Sequence, residues 1–310
     1  MGKELLLEIG TEEIPAAFLP KAMTDMEELI RKSLSGERIA HGEVKTMATP
    51  RRLFLCVADV AETQEDQVIE KIGPTRKAAY DDRGNPTKAA IGFAKGQGIE
   101  LAEVEIVTTD KGEYLCARKT IAGGPVAALL PGVLTRLITA IPFKKSMRWS
   151  NLELRFARPI HWILALYGGE IIPFRIENIR SGDTSRGHRF LSPEPFSVSG
   201  CADYLEKTKR AFVIVDPEER KKIIREEASR AAAAHSGYPL ITDELLETVA
   251  FLVEYPTAVC GGFDPEYLKL PREVLTTTMM SHQKYFPVMD GEGKLLPHFI
   301  TINNTLARDP

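Results

Sequence analysis

The chain has 310 residues, 44% hydrophobic and 27% charged, enough apolar material for sizeable cores and for two domains or more. Forty Lys and Arg against 43 Asp and Glu give a formal charge of -3, which excludes the global positive field that announces a nucleic-acid binder. Apolar runs such as Ala127–Leu130 and Ile160–Tyr167 fall far short of the roughly 20 residues a membrane helix needs, so no membrane span is expected.

The opening Met1-Gly2-Lys3-Glu4 leads into Leu5–Ile9, which reads as a strand; Glu8 interrupts what would be the apolar region of a signal peptide, so a cytoplasmic address is expected. Residues 14–34 read as a helix opened by Pro15, with Met23, Met26, Leu29, Ile30 and Leu34 at mostly helical spacing. Strands over 43–48 and 52–60 follow, and pairing across the helix makes residues 1–62 a small α/β layer. Asp59, Glu62, Glu65, Asp66 and Glu70, without a base among them, mark a solvated connector.

Residues 63–145 read as an inserted α+β module. It holds a turn-rich stretch from Gly73-Pro74 to Asn85-Pro86 and a short helix over 87–95 ended by Gly96 and Gly98. Strands over 103–108 and 113–120 form a hairpin across Asp110-Lys111-Gly112, and a helix over 126–141 is split by Pro131. Residues 146–310 read as a larger α+β domain, with strands over 160–167 and 170–176 and a polar loop over 181–189. Asp216-Pro217-Glu218-Glu219 is a strong helix start, the helix running to about His235 and stopping at Gly237. Thr242 caps another helix to about Val253, Pro271 opens one that reaches Met280 or His282, and Phe299–Ile302 reads as a strand. That strand lies so near Ala307-Arg308-Asp309-Pro310 that the natural chain is expected to continue.

Catalytic signatures are scarce. Neither Ile121–Pro125 nor Gly92–Gly98 matches a dinucleotide or P-loop fingerprint, no serine sits in a nucleophile elbow, and the histidines show no close metal-ligand spacing. No bound metal is expected. Cys56, Cys116, Cys201 and Cys260 lie too far apart in sequence for a zinc clip or redox motif and are expected as buried free thiols. Glu12 and Glu13 would serve as acid or base if partly buried, but an acidic pair between strand and helix also suits a helix start, and that structural reading is preferred. Between Lys144 and Arg189, nine Lys or Arg stand against four acids, a local excess that permits a phosphate-backbone surface. Within it, His188 reads either as a contact for phosphate or a stacked base or as a tie for its own loop. His282 reads as a helix-end anchor or, with Glu254 and Tyr255, as a remnant ligand pocket.

Several separated strings occur here in one order: Leu5–Ala16 (LLLEIGTEEIPA), Thr49-Pro50-Arg51-Arg52-Leu53, Lys71-Ile72-Gly73-Pro74, Pro86–Ala90 with Gly92-Phe93-Ala94, and Met147-Arg148-Trp149. Phe156–Trp162 (FARPIHW), Gly187-His188-Arg189-Phe190, Val253-Glu254-Tyr255-Pro256 and His282–Phe286 (HQKYF) follow. In this joint order the chain resembles the N-terminal part of the β subunit of bacterial heterotetrameric glycyl-tRNA synthetases. The resemblance implies an α subunit that activates glycine with ATP and Mg, glycine tRNA as the other partner, an α2β2 assembly, and no catalytic residue or cofactor in this chain. It also implies that the later domain is similar to the B3/B4 module of phenylalanyl-tRNA synthetase β chains. No editing residues are carried over, because glycine is the smallest amino acid and nothing smaller needs to be hydrolysed. Arg51, Arg52, Arg148, Arg158, Arg186, His188 and Arg189 are the candidates for RNA or subunit contact, and Glu12, Glu13, Glu254, Tyr255 and His282 for an interface or remnant pocket. The competing readings are an editing-type hydrolase acting on mischarged tRNA, with His188 or His282 as base, and an assembly scaffold without RNA contact.

Overall fold

The computed structural model describes residues 2–151 and 153–306, so the expectation built on Ala307–Pro310 lies outside the described residues. Contacts divide the chain into a larger unit of Met1–Gly36, Ala40–Glu62 and Ala127–Pro310 and a smaller one of Glu37–Ile39 and Thr63–Val126.

The larger unit starts with β1 (Lys3–Thr11), buried from Leu5 onward on both faces. That burial explains its nearly unbroken apolar run and makes Glu8 its exception. A 3-10 turn at Ala16–Phe18 precedes α1 (Leu19–Gly36), which buries Leu19, Ala22, Met26, Ile30 and Leu34 as one stripe. The helix therefore starts later than Pro15 suggests. The strands β2 (Val44–Thr49) and β3 (Arg52–Val60) form a hairpin, and β3 pairs antiparallel with β1.

The smaller unit contains β4 (Gln67–Thr75), α2 (Arg76–Ala79), α3 (Lys88–Gln97), β5 (Val104–Thr109) and β6 (Gly112–Ile121), its sheet ordered β4-β6-β5. Acidic composition correctly implied exposure around residues 62–70 but concealed β4, whose side chains are mostly exposed while its backbone pairs with β6. The core is small: Ala79, Ala90 and Leu115, with Tyr80, Phe93, Leu101 and Val104 packed against it.

Back in the larger unit, a 3-10 turn at Val126–Ala128 leads into α4 (Leu130–Ala140), where Pro131 occupies the first turn and opens the helix. Next comes β7 (Ile160–Tyr167), which pairs with β1 on the side opposite β3. The expected strand over 170–176 is interrupted into β8 (Glu170–Ile171) and β9 (Arg175–Ile176), with Pro173 between them. The polar stretch after it is not a plain loop. It holds β10 (Ile179–Gly182), parallel to β7, and β11 (Thr184–Arg186), which pairs with β12 (Pro195–Ser197). The main sheet is ordered β2-β3-β1-β7-β10-β9, with β8 on β7.

Helix α5 (Cys201–Arg210) places Cys201 and Tyr204 in the core against Leu6, Phe54 and Leu164. Here the expectation of four free thiols is corrected: Cys56 on β3 and Cys201 are disulfide-bonded, with Cα atoms 6.4 Å apart, whereas Cys116 and Cys260 are free. Sequence distance carried no hint of this pair, because folding α5 onto the sheet closes the gap.

Helix α6 (Pro217–Ala233) is capped by Asp216, which accepts from the Glu218 N–H at 2.8 Å. It is followed by β13 (Tyr238–Pro239), α7 (Asp243–Ala250) capped by Thr242, β14 (Thr257–Gly262), α8 (Arg272–Thr277), β15 (Phe286–Met289) and β16 (Leu295–Asn303). The last strands form a sheet ordered β13-β15-β16-β14. Ile224, Ala228, Leu246, Val249, Phe286, Val288 and Ile300 fill the space between this sheet and α6 and α7. The helix expected from Pro271 to His282 changes form at Thr278, where a π-helical turn runs to Gln283 and Lys284 ends it at φ 60°. Mixed helices and antiparallel-rich sheets place the chain in the α+β class. No helix among the described residues is long and apolar enough to cross a membrane.

Candidate functional site

At one end of the main sheet, β1, β3 and β7 bring Gly10, Arg52 and Trp162 into register. A Cβ on Gly10 would overlap the Trp162 indole, so only glycine lets the indole lie across β1. From there Trp162 Nε1–H donates to Glu8 Oε2 at 2.9 Å, and the Arg52 guanidinium sits 5.6 Å from the indole centroid.

Arg52 is fully buried and bonds to two buried carboxylates. Its Nε donates to Glu254 Oε1 at 2.8 Å, and its Nη1 donates to Glu8 Oε1 at 3.1 Å and to the Arg186 carbonyl at 2.9 Å. Thr49 adds a 2.6 Å hydrogen bond to Glu254 Oε1, and Tyr204 one of 2.8 Å to Glu8 Oε1. Burial alone would lower the Arg52 pKa, but Glu254 and then Glu8 raise it above the ordinary guanidinium value. Burial likewise pushes Glu254 up, yet the Arg52 charge and the hydrogen bonds from Thr49 and Arg52 hold it below the usual carboxylate range. Both carboxylates are therefore occupied as acceptors of buried donors.

A second buried guanidinium, Arg220 of α6, donates to the carbonyls of Ala250, Ile214, Val215 and Ala48 at 2.6–2.9 Å. With carbonyls rather than carboxylates as acceptors, burial dominates and its pKa is pushed down to about 10, Glu254 opposing from a distance. These bonds tie the β2 end, the segment before α6 and the end of α7 together. The sequence did offer a signal for Arg220: it precedes Ile224 and Ala228 at spacings of four and lies on their buried stripe. Glu8 was equally visible as the lone acid in an apolar strand.

His188 is buried as well, and its ring Nδ1 accepts weakly from the Phe190 and Leu191 N–H groups, each at 3.3 Å. An accepting Nδ1 leaves the neutral ring proton on Nε2. That atom has no hydrogen-bond partner among the described residues, nor do the buried Thr11 Oγ1, Arg51 Nε and Ser185 Oγ. Burial lowers the Arg51 pKa, with Glu254 opposing.

Outside this centre lies an exposed rim. Glu12 and Glu13 do not sit in the first turn of α1; they meet Arg189 Nη1 at 3.5 and 3.4 Å, and His161 Nε2 lies 3.2 Å from Glu12. Arg158 Nε donates to the Glu13 carbonyl at 2.9 Å. The Arg189 guanidinium stands 5.3 Å from the ring centroid of Phe190, which is 73% exposed.

The fold thus gathers Glu12, Glu13, Arg51, Arg52, Arg158, Arg186, His188, Arg189 and Glu254 around one sheet end. Arg186 contributes its backbone carbonyl while its side chain is exposed. Tyr255, next to Glu254 in the chain, packs edge-on against Phe212 with ring centroids 5.2 Å apart. Arg148 is exposed beside Met147, and His282 is exposed on the π turn, away from these bonds. Sequence reasoning missed Glu8, Thr49, Tyr204 and Arg220. Elsewhere, His235 in the turn after α6 and Cys260 and His298 on the four-stranded sheet each offer a ligand atom within 4.8 Å of the others, a grouping that their wide sequence spacing hid.

Fold and site together define an α+β protein whose central charges knit segments together beneath an arginine and aromatic rim. The chain belongs to the glycyl-tRNA synthetase beta subunit family, whose model matches residues 5–310. It is 67% identical over 310 residues to the glycine--tRNA ligase beta subunit of Syntrophus aciditrophicus, and 57% and 56% identical to those of Geobacter sp. strain M21 and Citrifermentans bemidjiense. In each case all of this chain is covered but 45% of the relative, so the chain spans about half the length of the relatives it matches.

Proposed function

We propose that this chain is a non-catalytic portion of a glycine--tRNA ligase β subunit, supporting ATP-dependent attachment of glycine to its tRNA through subunit assembly and tRNA contact. The observation that carries the reading is the saturation of Glu8 and Glu254 by Arg52, Thr49, Tyr204 and Trp162, which turns the chain's most prominent charges to structure. Glycine activation with ATP and Mg would then belong to a separate α subunit in an α2β2 assembly in the cytoplasm. A role for the later part of the chain like that of the B3/B4 module belongs to the same proposal, and its α+β architecture is compatible with it.

For tRNA contact, the support is the rim. Arg189 stacked by exposed Phe190, with Arg186 three residues before it, Arg158 bonded to the same Glu13 and Arg51 behind, combines phosphate-binding charge with a ring face for an unpaired base. Glu12 and Glu13 orient Arg189 and moderate its charge, which favours contact within an assembly over strong binding by the chain alone. Titration of the purified chain into labelled glycine tRNA, with and without α, at two salt concentrations tests this. Salt-sensitive binding that Arg189→Glu with Phe190→Ala weakens is the expected result; binding indifferent to both changes would leave assembly as the role. Deacylation of mischarged tRNA by the chain alone would instead support the editing reading; burial argues against His188 as its base and leaves the exposed His282 for that role.

A further inference from the structure

His235 follows α6, where the chain turns at Ser236, with φ 57°, and the Gly237 N–H returns to the Ala232 carbonyl. That turn sets the imidazole against the sheet, 4.3 Å from the His298 ring between centroids. Strands β14 and β16 pair Cys260 with Ile300 and Gly262 with His298, so alternation puts Cys260 and His298 on one face as diagonal neighbours. Gly262 directly opposite His298 leaves the ring unobstructed, since even a Cβ there would come no nearer than 3.6 Å.

We propose that His235, Cys260 and His298 form a binding site for a divalent zinc ion, with an open fourth position for water or an external ligand. Two imidazoles and a thiolate are the borderline-soft set that zinc selects, and three protein ligands with one open position is the usual arrangement where zinc stays accessible. Their atoms lie within 4.8 Å of one another. Bonds of about 2.0–2.1 Å to nitrogen and about 2.3 Å to sulfur need slightly closer approach, which side-chain rotation on a half-exposed surface supplies. Burial keeps Cys260 a thiol in the absence of metal. Zinc binding therefore breaks the S–H bond, forms the Zn–S bond and releases one proton to solvent, with no change of oxidation state. The bound ion would clip the end of α6 to the β14–β16 edge, joining parts of the sheet that the apolar core holds only from within.

Cobalt(II) is the probe of choice, because a thiolate ligand gives it a charge-transfer absorption that imidazole and carboxylate do not. The chelator-stripped chain is expected to take one equivalent with that band and with tetrahedral d–d bands, zinc displacing it. Cys260→Ser should abolish the band, and His298→Ala and His235→Ala should each weaken binding by more than about 10-fold, the lower end of what even ligand-orienting groups contribute. His235 is exposed, so its variant folds; zinc should raise the melting temperature of the wild type and leave that of His235→Ala unchanged. A wild-type chain without the band, or a band that survives Cys260→Ser and disappears in Cys116→Ser, would overturn the assignment.

Discussion

Burial strips Arg52, Glu8 and Glu254 of solvation together, so each depends on the other two for compensation. Replacing Arg52 with Met keeps much of the volume but leaves two buried carboxylates facing one another's field. A loss of about 3–5 kcal/mol in urea unfolding is expected. Adding Glu8→Gln and Glu254→Gln to Arg52→Met should recover part of it; equal stability of the single and triple variants would mean that the charges are not coupled. The same carboxylate sets a pH dependence. Glu254 is held below its ordinary value of 4.5, so its contribution is full above that value and is lost as pH falls through the depressed folded-state pKa. Stability of the wild type should therefore decline more steeply below about pH 4.5 than that of Glu254→Gln, and parallel acid limbs would remove Glu254 from the account. What the sequence disclosed at this scale was residue type. Arginines and glutamates at Arg52, Arg189, Glu12 and Glu254 stood out, but which of them would be interior depended on strands brought together from distant positions, as Glu254 is to Arg52 across 202 residues.

Capped helices were the most legible elements, because the signal and its effect lie within one turn. Asp216 and Thr242 sit where they were expected and accept from N–H groups two and three residues on. Asp216→Ala should cost about 1 kcal/mol, and rather less if a water replaces the carboxylate; an unchanged unfolding midpoint would show that Pro217 and the α6 packing alone fix the helix start. Short strands were the least legible. β10 and β11 lie in a sequence so polar that periodicity has nothing to act on, and they exist because β7 and β12 supply hydrogen-bond partners. β4 was concealed because its apolar residues Val68 and Ile72 are exposed and stand among acids, so that only backbone pairing with β6 defines it. Prolines acted locally but not as expected: Pro131, read as splitting a helix, opens α4, and Pro173, inside a strand expected to be continuous, separates β8 from β9. Pro15 misled, since the 3-10 turn at Ala16–Phe18 intervenes before the buried stripe of α1 begins at Leu19.

At the scale of the molecule, three segments were expected and two units are found, because β1 and β7, assigned to separate parts, are adjacent strands of one sheet. Helix α4 likewise belongs with α1 in the larger unit rather than with the insertion. Sequence order suggests serial domains whenever an inserted module interrupts a sheet, and nothing in the composition of Leu5–Ile9 announces a partner at Ile160–Tyr167. The insertion leaves and returns at one place: Thr63 and Pro125 form an antiparallel bridge, and the Gln64 N–H donates to the Gly124 carbonyl at 3.0 Å. Neighbouring backbones at such a bridge are only about 4.5–5.5 Å apart, a gap that a few residues span with little closure entropy. Within β3 the exit lies at the Val60 end, and Arg52 lies at the other. Replacing residues 64–124 with a short Gly-Ser linker should therefore leave a cooperatively unfolding protein that keeps the acid-limb dependence on Glu254. The excised residues 63–126, with a core of Ala79, Ala90 and Leu115, should unfold at low denaturant on their own. Circular dichroism against urea for both pieces decides it. If the linked larger unit loses its cooperative transition, the insertion contributes stability that the main sheet lacks, and the continuity of β1 with β7 is insufficient to hold the unit together.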